Sequence, residues 1–148
     1  KDDAVDALIE FLFPLAEVCT PNAHEAARLV GFELRSETDA AKAAEQIFEM
    51  GPRAVLVKGG HLDAEEYAVD VLFDRSTMHV FRTPRIETLN THGTGCTYAA
   101  TIAANLAQGM SIPEAVEEAK MYVTEAIRHG LSIGEGHGPT DHFYFLRD

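Results

Sequence analysis

A glycine-rich segment that contains a cysteine, residues 91–97 (THGTGCT), has the residue types and spacing for chemistry on an anion. Gly93 and Gly95 precede Cys96, and a long apolar helical pattern begins there. The first amides of a helix have no intrahelical partners, and the helix dipole favours negative charge at that end. The same amides stabilise a thiolate over a thiol. The segment therefore predicts either a phosphate site that carries a base or nucleophile, or a simple turn before a helix with an inert cysteine.

Two further segments have side chains suited to phosphate. Asn22 and Glu25 lie three residues apart at a predicted helix start, where an amide and a carboxylate can hold magnesium through water. The alternative is helix capping, with Glu25 complementing the helix dipole. Lys58 precedes Gly59 and Gly60, which allow close backbone approach to a ligand, and its ammonium is a point charge for phosphate. The alternative there is a turn with the lysine in solvent.

A metal site is a competing interpretation of another class, a metal-binding module that is not a kinase. His92 and Cys96 are four residues apart, and His137 and His142 in the tail can add ligands for zinc or another transition metal. However, His92 precedes the predicted helix, so the geometry of residues four apart on a helix need not hold. A thiol hydrolase that pairs Cys96 with a histidine is the remaining option, although no local sequence indicates which histidine.

Helices and buried strands alternate along the chain and determine where these segments lie. The apolar periodicity predicts helices over residues 4–13, 20–31, 39–50, 95–108 and 111–129, and strands over 15–19, 54–57, 67–73 and 78–83, the last two as a hairpin with its turn at 74–76. Thr20 is the expected N-cap of the second helix, and Ser111 that of the last, with Glu114 completing a capping box. Alternation of this kind predicts an α/β fold around a largely parallel sheet.

The fold class predicts that the three candidate segments come together. In open α/β sheets, ligands bind at the carboxyl ends of the strands. Residues 20–22 and 58–60 each follow a predicted buried strand, so we expect both at one edge of the sheet. Residues 93–96 are the natural third member of that group.

Composition restricts the class of protein. The chain has 148 residues, 46% of them hydrophobic, which suits one compact domain, and its net charge of −12 disfavours nucleic acid or an anionic membrane surface as a partner. A local nest of amides can still bind phosphate inside an acidic protein. The two cysteines show no paired spacing, and neither a secretory signal nor an apolar run of membrane length is visible. We therefore expect a cytoplasmic protein.

Four motifs taken together resemble one family. Residues 20–22 (TPN, with Glu25), 57–61 (VKGGH), 91–97 (THGTGCT) and 136–139 (GHGP) occur in the order seen in the hydroxymethylpyrimidine and hydroxymethylpyrimidine phosphate kinases of thiamine biosynthesis, members of the ribokinase-like superfamily. The resemblance covers essentially all 148 residues. Cys96 stands where most ribokinase-like sugar kinases have aspartate. The resemblance implies a three-layer α/β/α fold and ATP- and magnesium-dependent phosphorylation of a hydroxymethylpyrimidine and of its monophosphate.

The resemblance also implies roles for individual residues. Cys96 corresponds to the catalytic base, and the amides of Gly93, Thr94, Gly95 and Cys96 to the anion hole for the transferred phosphoryl group. Further positions match the magnesium and nucleotide side of the family's site. They are Asn22 and Glu25 near magnesium and phosphate, Lys58 and Gly60 near the ATP phosphates, and Asp70 to Asp74 along the adenine side.

The resemblance implies that the chain is the carboxyl-terminal part, residues 1–148, of a single kinase domain whose amino-terminal half is absent. That half would carry the first strands and the residues that read the aminopyrimidine, so the substrate-specifying residues are not expected here. Lys1 falls where a mobile lid loop ends in the family. We expect the intact protein to be a homodimer. A pyridoxal or pyridoxine kinase on the same scaffold is the nearest alternative.

Overall fold

The computed structural model describes residues 2–60, 62, 66–75 and 77–147. Lys1, His61 of the VKGGH motif and Ser76 of the predicted hairpin turn lie outside the described residues. The chain divides into two compact units, Lys1–Arg82 and Thr83–Asp148.

The first unit begins with a helical segment of changing pitch. Helix α1 spans Asp2–Ala7, a π-helical turn follows over Leu8–Leu12, and a 3₁₀ turn covers Phe13–Leu15. The strand predicted over residues 15–19 is wrong, because the backbone there is irregular and the Leu15 side chain is 84% exposed. Pro14 lies inside the 3₁₀ turn, where its fixed φ favours the turn and delays extended backbone to the end of the run.

Both helices that follow begin with a capping box. Helix α2, Ala23–Val30, is capped by Asn22 rather than by the expected Thr20, and it ends at Gly31 with φ of 78°. Helix α3, Glu37–Phe48, is capped by Ser36, whose hydroxyl oxygen accepts the Asp39 amide at 3.1 Å. An N-cap side chain of this kind satisfies an amide that the helix itself leaves without a partner.

Three strands form the sheet: β1 (Ala54–Gly59), β2 (Tyr67–Asp74) and β3 (Thr77–Pro84), in the order β1-β2-β3. The predicted hairpin of β2 and β3 is present, but the expectation of a largely parallel sheet is not met by these strands, because β1 and β2 pair antiparallel. Residues 60–66 join them, too few for the crossover of about a dozen residues that parallel strands need. Parallel pairing occurs beside β1 only as isolated bridges, Cys19 to Val55 and Asn22 to Lys58.

The core of the first unit lies where α2 and α3 pack over the sheet. Its fully buried side chains come from α3 and from the inward-facing positions of the strands: Ile47, Val55, Val57 and Val71. Burying one such aliphatic side chain contributes about 1.5–3 kcal/mol. This packing fixes β1, and therefore the residues at its carboxyl end.

The second unit is a helix pair with an irregular tail. Helix α4 spans Thr94–Ala107, and helix α5 spans Ile112–Arg128 with the predicted Ser111 and Glu114 capping box. Helices α4 and α5 pack against each other, and Ile102 and Val116 are among their buried side chains. The side-chain nitrogen Nδ2 of Asn105 donates to the Ala115 carbonyl at 3.1 Å. The tail ends in a 3₁₀ turn at Tyr144–Leu146. Within the described ranges, no helix is both long and apolar enough to cross a membrane.

Candidate functional site

The first unit brings together three of the predicted residues, Asn22, Glu25 and Lys58, which we call the strand-end cluster. Extended backbone before α2 runs parallel to β1, where the Leu56 amide donates to Cys19 O at 2.8 Å and the Lys58 amide to Pro21 O at 2.9 Å. Asn22 therefore lies level with Lys58 at the carboxyl end of β1. The predicted convergence of these two segments at one strand end is confirmed.

Within this cluster, Asn22 and Glu25 form a reciprocal helix cap. Asn22 Oδ1 accepts the Glu25 amide at 2.9 Å, and Glu25 Oε2 accepts the Asn22 amide at 2.7 Å. The capping interpretation of this pair is therefore correct as a description of the structure. It does not use up the carboxylate, because Oε1 of Glu25 takes no part in the cap. An amide and a carboxylate fixed in this way suit magnesium, which keeps several of its waters when it binds to proteins.

The pKa of the Cys19 thiol is influenced by two charged residues of the strand-end cluster. The pKa of Cys19 is raised to about 11, mainly by burial and also by the negative charge of Glu25, while the positive charge of Lys58 opposes the shift. The thiol therefore stays protonated at neutral pH. Cys19 acts as a small apolar side chain between two opposite charges rather than as a nucleophile.

Asp70 fixes the backbone that follows Lys58. Its carboxylate is 4% exposed and accepts the Gly59 amide at 2.9 Å. A Cβ on Gly59 would lie 1.9 Å from Val69 O, so only glycine fits there, whereas a Cβ on Gly60 would meet open space. The sequence predicted that both glycines allow a ligand to approach the backbone closely. At Gly59, however, the close neighbour is the backbone of strand β2, so this glycine is needed for strand packing.

Asp70 and Asp74 lie at opposite ends of the β1–β2 pair. Asp70 pairs with Lys58, whereas Asp74 pairs with Ala54, the first residue of β1. Four residues of strand span about 13 Å at 3.3 Å per residue. The structure therefore places Asp70 beside the strand-end cluster and Asp74 away from it. The expected adenine side over these residues stays a prediction.

The second unit contains the other predicted group, residues 93–96, which we call the helix-start cluster. Gly93 is the N-cap of α4, with φ of 85°, and it offers no side chain to cap the helix. The Gly95 and Cys96 amides lie in the first turn, where a helix supplies no acceptor, and they donate no hydrogen bond within the described part of the chain. Cys96 is an exposed free cysteine. An exposed thiol therefore stands beside open amides at the positive end of a 14-residue helix.

One amide of the predicted anion hole is already engaged. The Thr94 amide lies 3.3 Å from Thr91 O, and the Thr94 hydroxyl donates to the same oxygen at 2.7 Å. The Gly95 and Cys96 amides are therefore better placed for a ligand than that of Thr94.

The GHGP tail holds the backbone that leads into α4. The His92 amide donates to Gly138 O at 3.0 Å, and the Thr140 amide donates to His92 O at 3.3 Å. A Cβ on Gly138 would lie 2.2 Å from Asn90 Oδ1, which explains the glycine by close approach. The motif therefore acts, within the second unit, as a support for the helix-start cluster.

Thr97 and His142 form a contact that the sequence did not indicate. The Thr97 hydroxyl donates to Gly93 O at 2.8 Å, and its oxygen lies 2.8 Å from His142 Nε2. Forty-five residues separate Thr97 from His142, so spacing alone carries no signal for the pair. The tail histidines have protein contacts, since His137 Nδ1 also lies 3.1 Å from Leu89 O. Among the residues that the structure describes, no three His, Cys, Asp or Glu side chains group as a metal site.

Comparison with protein families matches residues 1–141 with the family described as phosphomethylpyrimidine kinase. Two curated relatives are each named hydroxymethylpyrimidine/phosphomethylpyrimidine kinase. The one from Synechococcus elongatus is 47% identical over 143 residues, covering 97% of this chain and 54% of the relative. The one from Bacillus subtilis is 45% identical over 148 residues, covering 100% of this chain and 55% of the relative. The chain thus spans about half the length of these relatives.

Solved structures agree on the fold. The pyridoxal kinase from Staphylococcus aureus in complex with AMP-PCP and pyridoxal superposes with a TM-score of 0.94 at 38% identity. The match covers 99% of this chain and 55% of that one. The α/β fold predicted from the motifs is confirmed as the fold of this group of vitamin kinases. The strand-end and helix-start clusters lie in different units, so their convergence stays a prediction.

Proposed function

Because the chain belongs to the phosphomethylpyrimidine kinase family, we propose that the protein phosphorylates 4-amino-5-hydroxymethyl-2-methylpyrimidine and then its monophosphate, using ATP, to give the diphosphate used in thiamine biosynthesis. The observation that carries this proposal is the start of α4, where exposed Cys96 stands beside the open amides of Gly95 and Cys96. These are the parts that deprotonation of a hydroxyl and stabilisation of a phosphoryl group require.

The reaction assigns a role to each part of the helix-start cluster. The Cys96 thiolate accepts the proton of the substrate hydroxymethyl group, and the resulting oxygen forms a bond to the γ-phosphorus. The bond from that phosphorus to the β–γ bridging oxygen breaks, and ADP leaves with the electron pair. The Gly95 and Cys96 amides stabilise the charge on the equatorial phosphoryl oxygens, which is the main catalytic demand of phosphoryl transfer. The proton on Cys96 then passes to solvent.

The strand-end cluster supplies charge for the nucleotide. Lys58 is proposed to bind ATP phosphate, and Asn22 and Glu25 to hold magnesium through water. Magnesium neutralises phosphate charge when it is bound. The geometry that supports this assignment is the fixed cap, which orients the Asn22 amide and the Glu25 carboxylate at the end of β1 beside Lys58. The AMP-PCP bound in the Staphylococcus aureus relative supports ATP as the donor.

Cys96→Ala in the full-length protein tests the proposed base. We expect turnover to fall by about 100-fold or more, the usual contribution of a general base, with ATP affinity unchanged. Cys19→Ala is the matched control, because Cys19 is the other cysteine of the chain and its thiol stays protonated. Full activity of Cys96→Ala would exclude Cys96 as the base.

Pyridoxal phosphorylation is the second candidate, and the observation that favours it is the close match to a pyridoxal kinase structure. The pyrimidine reaction ranks first because the curated relatives reach 45–47% identity under that name. Competition between hydroxymethylpyrimidine and pyridoxal in one reaction distinguishes the two. A larger kcat/KM for pyridoxal would reverse the ranking.

We also propose that the protein is cytoplasmic and that it forms a homodimer.

A further inference from the structure

We propose that His142 is a positioning residue for the helix-start cluster, acting through Thr97 on the carbonyl group of Gly93. This inference rests on the proposed function, because it assigns His142 a part in aiming the amides that would bind the transferred phosphoryl group. His142 itself touches no reacting atom in this account.

The hydrogen bonds of Thr97 determine which atom donates and which accepts in its contact with His142. Gly93 O accepts both the Thr97 amide at 2.9 Å and the Thr97 hydroxyl at 2.8 Å. A hydroxyl has one proton, and a carbonyl oxygen can only accept, so the Thr97 proton points to Gly93. At the 2.8 Å contact with His142 Nε2, the Thr97 oxygen must therefore accept. His142 consequently carries a proton on Nε2 and donates it.

The backbone around His142 is held by one face of α5. The Tyr122 hydroxyl donates to His142 O at 2.8 Å, and the Asp141 amide donates to Ala126 O at 2.9 Å. Tyr122 and Ala126 are four residues apart, so they lie on the same side of the helix. Asp141 is 3% exposed, and its Oδ1 accepts the Phe143 amide at 3.0 Å. The ring of His142 thus extends from an anchored segment.

The N-cap of α4 explains why such a support is needed. A serine, threonine or asparagine at this position would fix the first turn with its own side chain, but it would also occupy an amide of that turn. Gly93 leaves the Cys96 amide open for a ligand and gives up that restraint. The contacts from His142 through Thr97 restore the restraint from the carbonyl side of Gly93, where no ligand amide is used.

Variants at the two ends of this chain of contacts test the proposal in the full-length protein. His142→Leu removes the donor, and Thr97→Val removes the bridging hydroxyl. We expect each to lower kcat about 3- to 10-fold, the value of one neutral hydrogen bond, with KM for ATP and for the pyrimidine within twofold. The double variant should be no slower than Thr97→Val. His142→Gln, whose amide nitrogen can occupy the Nε2 position, should recover most of the rate.

His129→Leu is the matched control, because His129 is another exposed histidine of the same unit and contacts Glu125 O and the Tyr144 ring instead of α4. We expect it to leave kcat within twofold. If His142→Leu and His129→Leu slow the enzyme equally, or if the effects of His142→Leu and Thr97→Val multiply, the positioning role is overturned.

A binding measurement separates this proposal from the proposed function. Thr94–Gly95 is the only Thr–Gly pair in this chain, so ¹³C-carbonyl threonine with ¹⁵N-glycine labels the Gly95 amide selectively within it. Inorganic phosphate should shift that amide resonance, and His142→Leu should weaken the apparent phosphate affinity about 3- to 10-fold while His142→Gln does not. An affinity unchanged in His142→Leu would overturn the positioning role. If phosphate affinity depends on His142 in this way but the wild-type protein phosphorylates no pyrimidine, the proposed function alone is contradicted.

Discussion

Gly93→Ala tests whether the backbone conformation at the start of α4 matters for catalysis. Gly93 has φ of 85°, and a Cβ there would meet no atom within 4 Å, so the substitution adds strain without a clash. The left-handed conformation costs a residue with a Cβ about 1–2 kcal/mol. We therefore expect the free energy of unfolding to fall by about that amount. If the strain must also be overcome to aim the amides in the transition state, kcat falls by about 5- to 30-fold.

Gly109→Ala is a matched control at the other end of the same helix. Gly109 has φ of 90° and no atom within 4 Å of a Cβ, so its strain is nearly the same. Denaturant unfolding should show a similar loss of stability in both variants, while steady-state kinetics with ATP and hydroxymethylpyrimidine should show a loss of kcat only in Gly93→Ala. Equal kinetic losses in the two variants, or an unchanged kcat in Gly93→Ala, would refute the reasoning.

Three further predictions concern other parts of the chain. Iodoacetamide at pH 8 should modify Cys96 and inactivate the enzyme. Cys19 should react slowly, because a thiol with a pKa of about 11 is ionised in only about one molecule in a thousand at that pH. Peptide mass spectrometry that finds Cys19 labelled before Cys96 would contradict this prediction. Gly59→Ala should cost about 1–3 kcal/mol of stability or more, because its Cβ overlaps a strand carbonyl, while Gly60→Ala should be nearly neutral in denaturant melts. The serine hydroxyl at the cap of α5 lowers the pKa of Glu114 below its ordinary 4.5. The stabilising contribution of this pair is complete above pH 4.5 and is lost as the pH falls through the folded-state pKa. In a plot of melting temperature against pH, the decrease on the acid side should therefore be less steep for Glu114→Gln.

Local signals predicted the helices and β1 well. The Ser111 and Glu114 capping box and the glycines that end α2 and α4 were readable because each acts over a few residues. The strand over residues 15–19 was wrong because a short apolar run is compatible with several conformations. The parallel sheet was wrong for β1 and β2 because the inference rested on alternation of elements and overlooked the shortness of residues 60–66.

The candidate site shows the same division. Sequence spacing predicted the Asn22 and Glu25 pair and the glycine before Cys96, since these features are local. The placement of Asp70 against the Gly59 amide depends on strand register, and the contact of Thr97 with His142 depends on how the tail returns to α4. Neither can be inferred from one sequence, because both join residues that the chain brings together only on folding.

Product analysis by mass spectrometry is the most direct test of the central claim. The full-length protein is incubated with ATP, magnesium and hydroxymethylpyrimidine, and in a parallel reaction with pyridoxal. We predict the pyrimidine monophosphate first and then the diphosphate, with the rate of formation of both products lower by about 100-fold or more in Cys96→Ala. Formation of pyridoxal phosphate alone, or of no phosphorylated product from either substrate, would contradict the account.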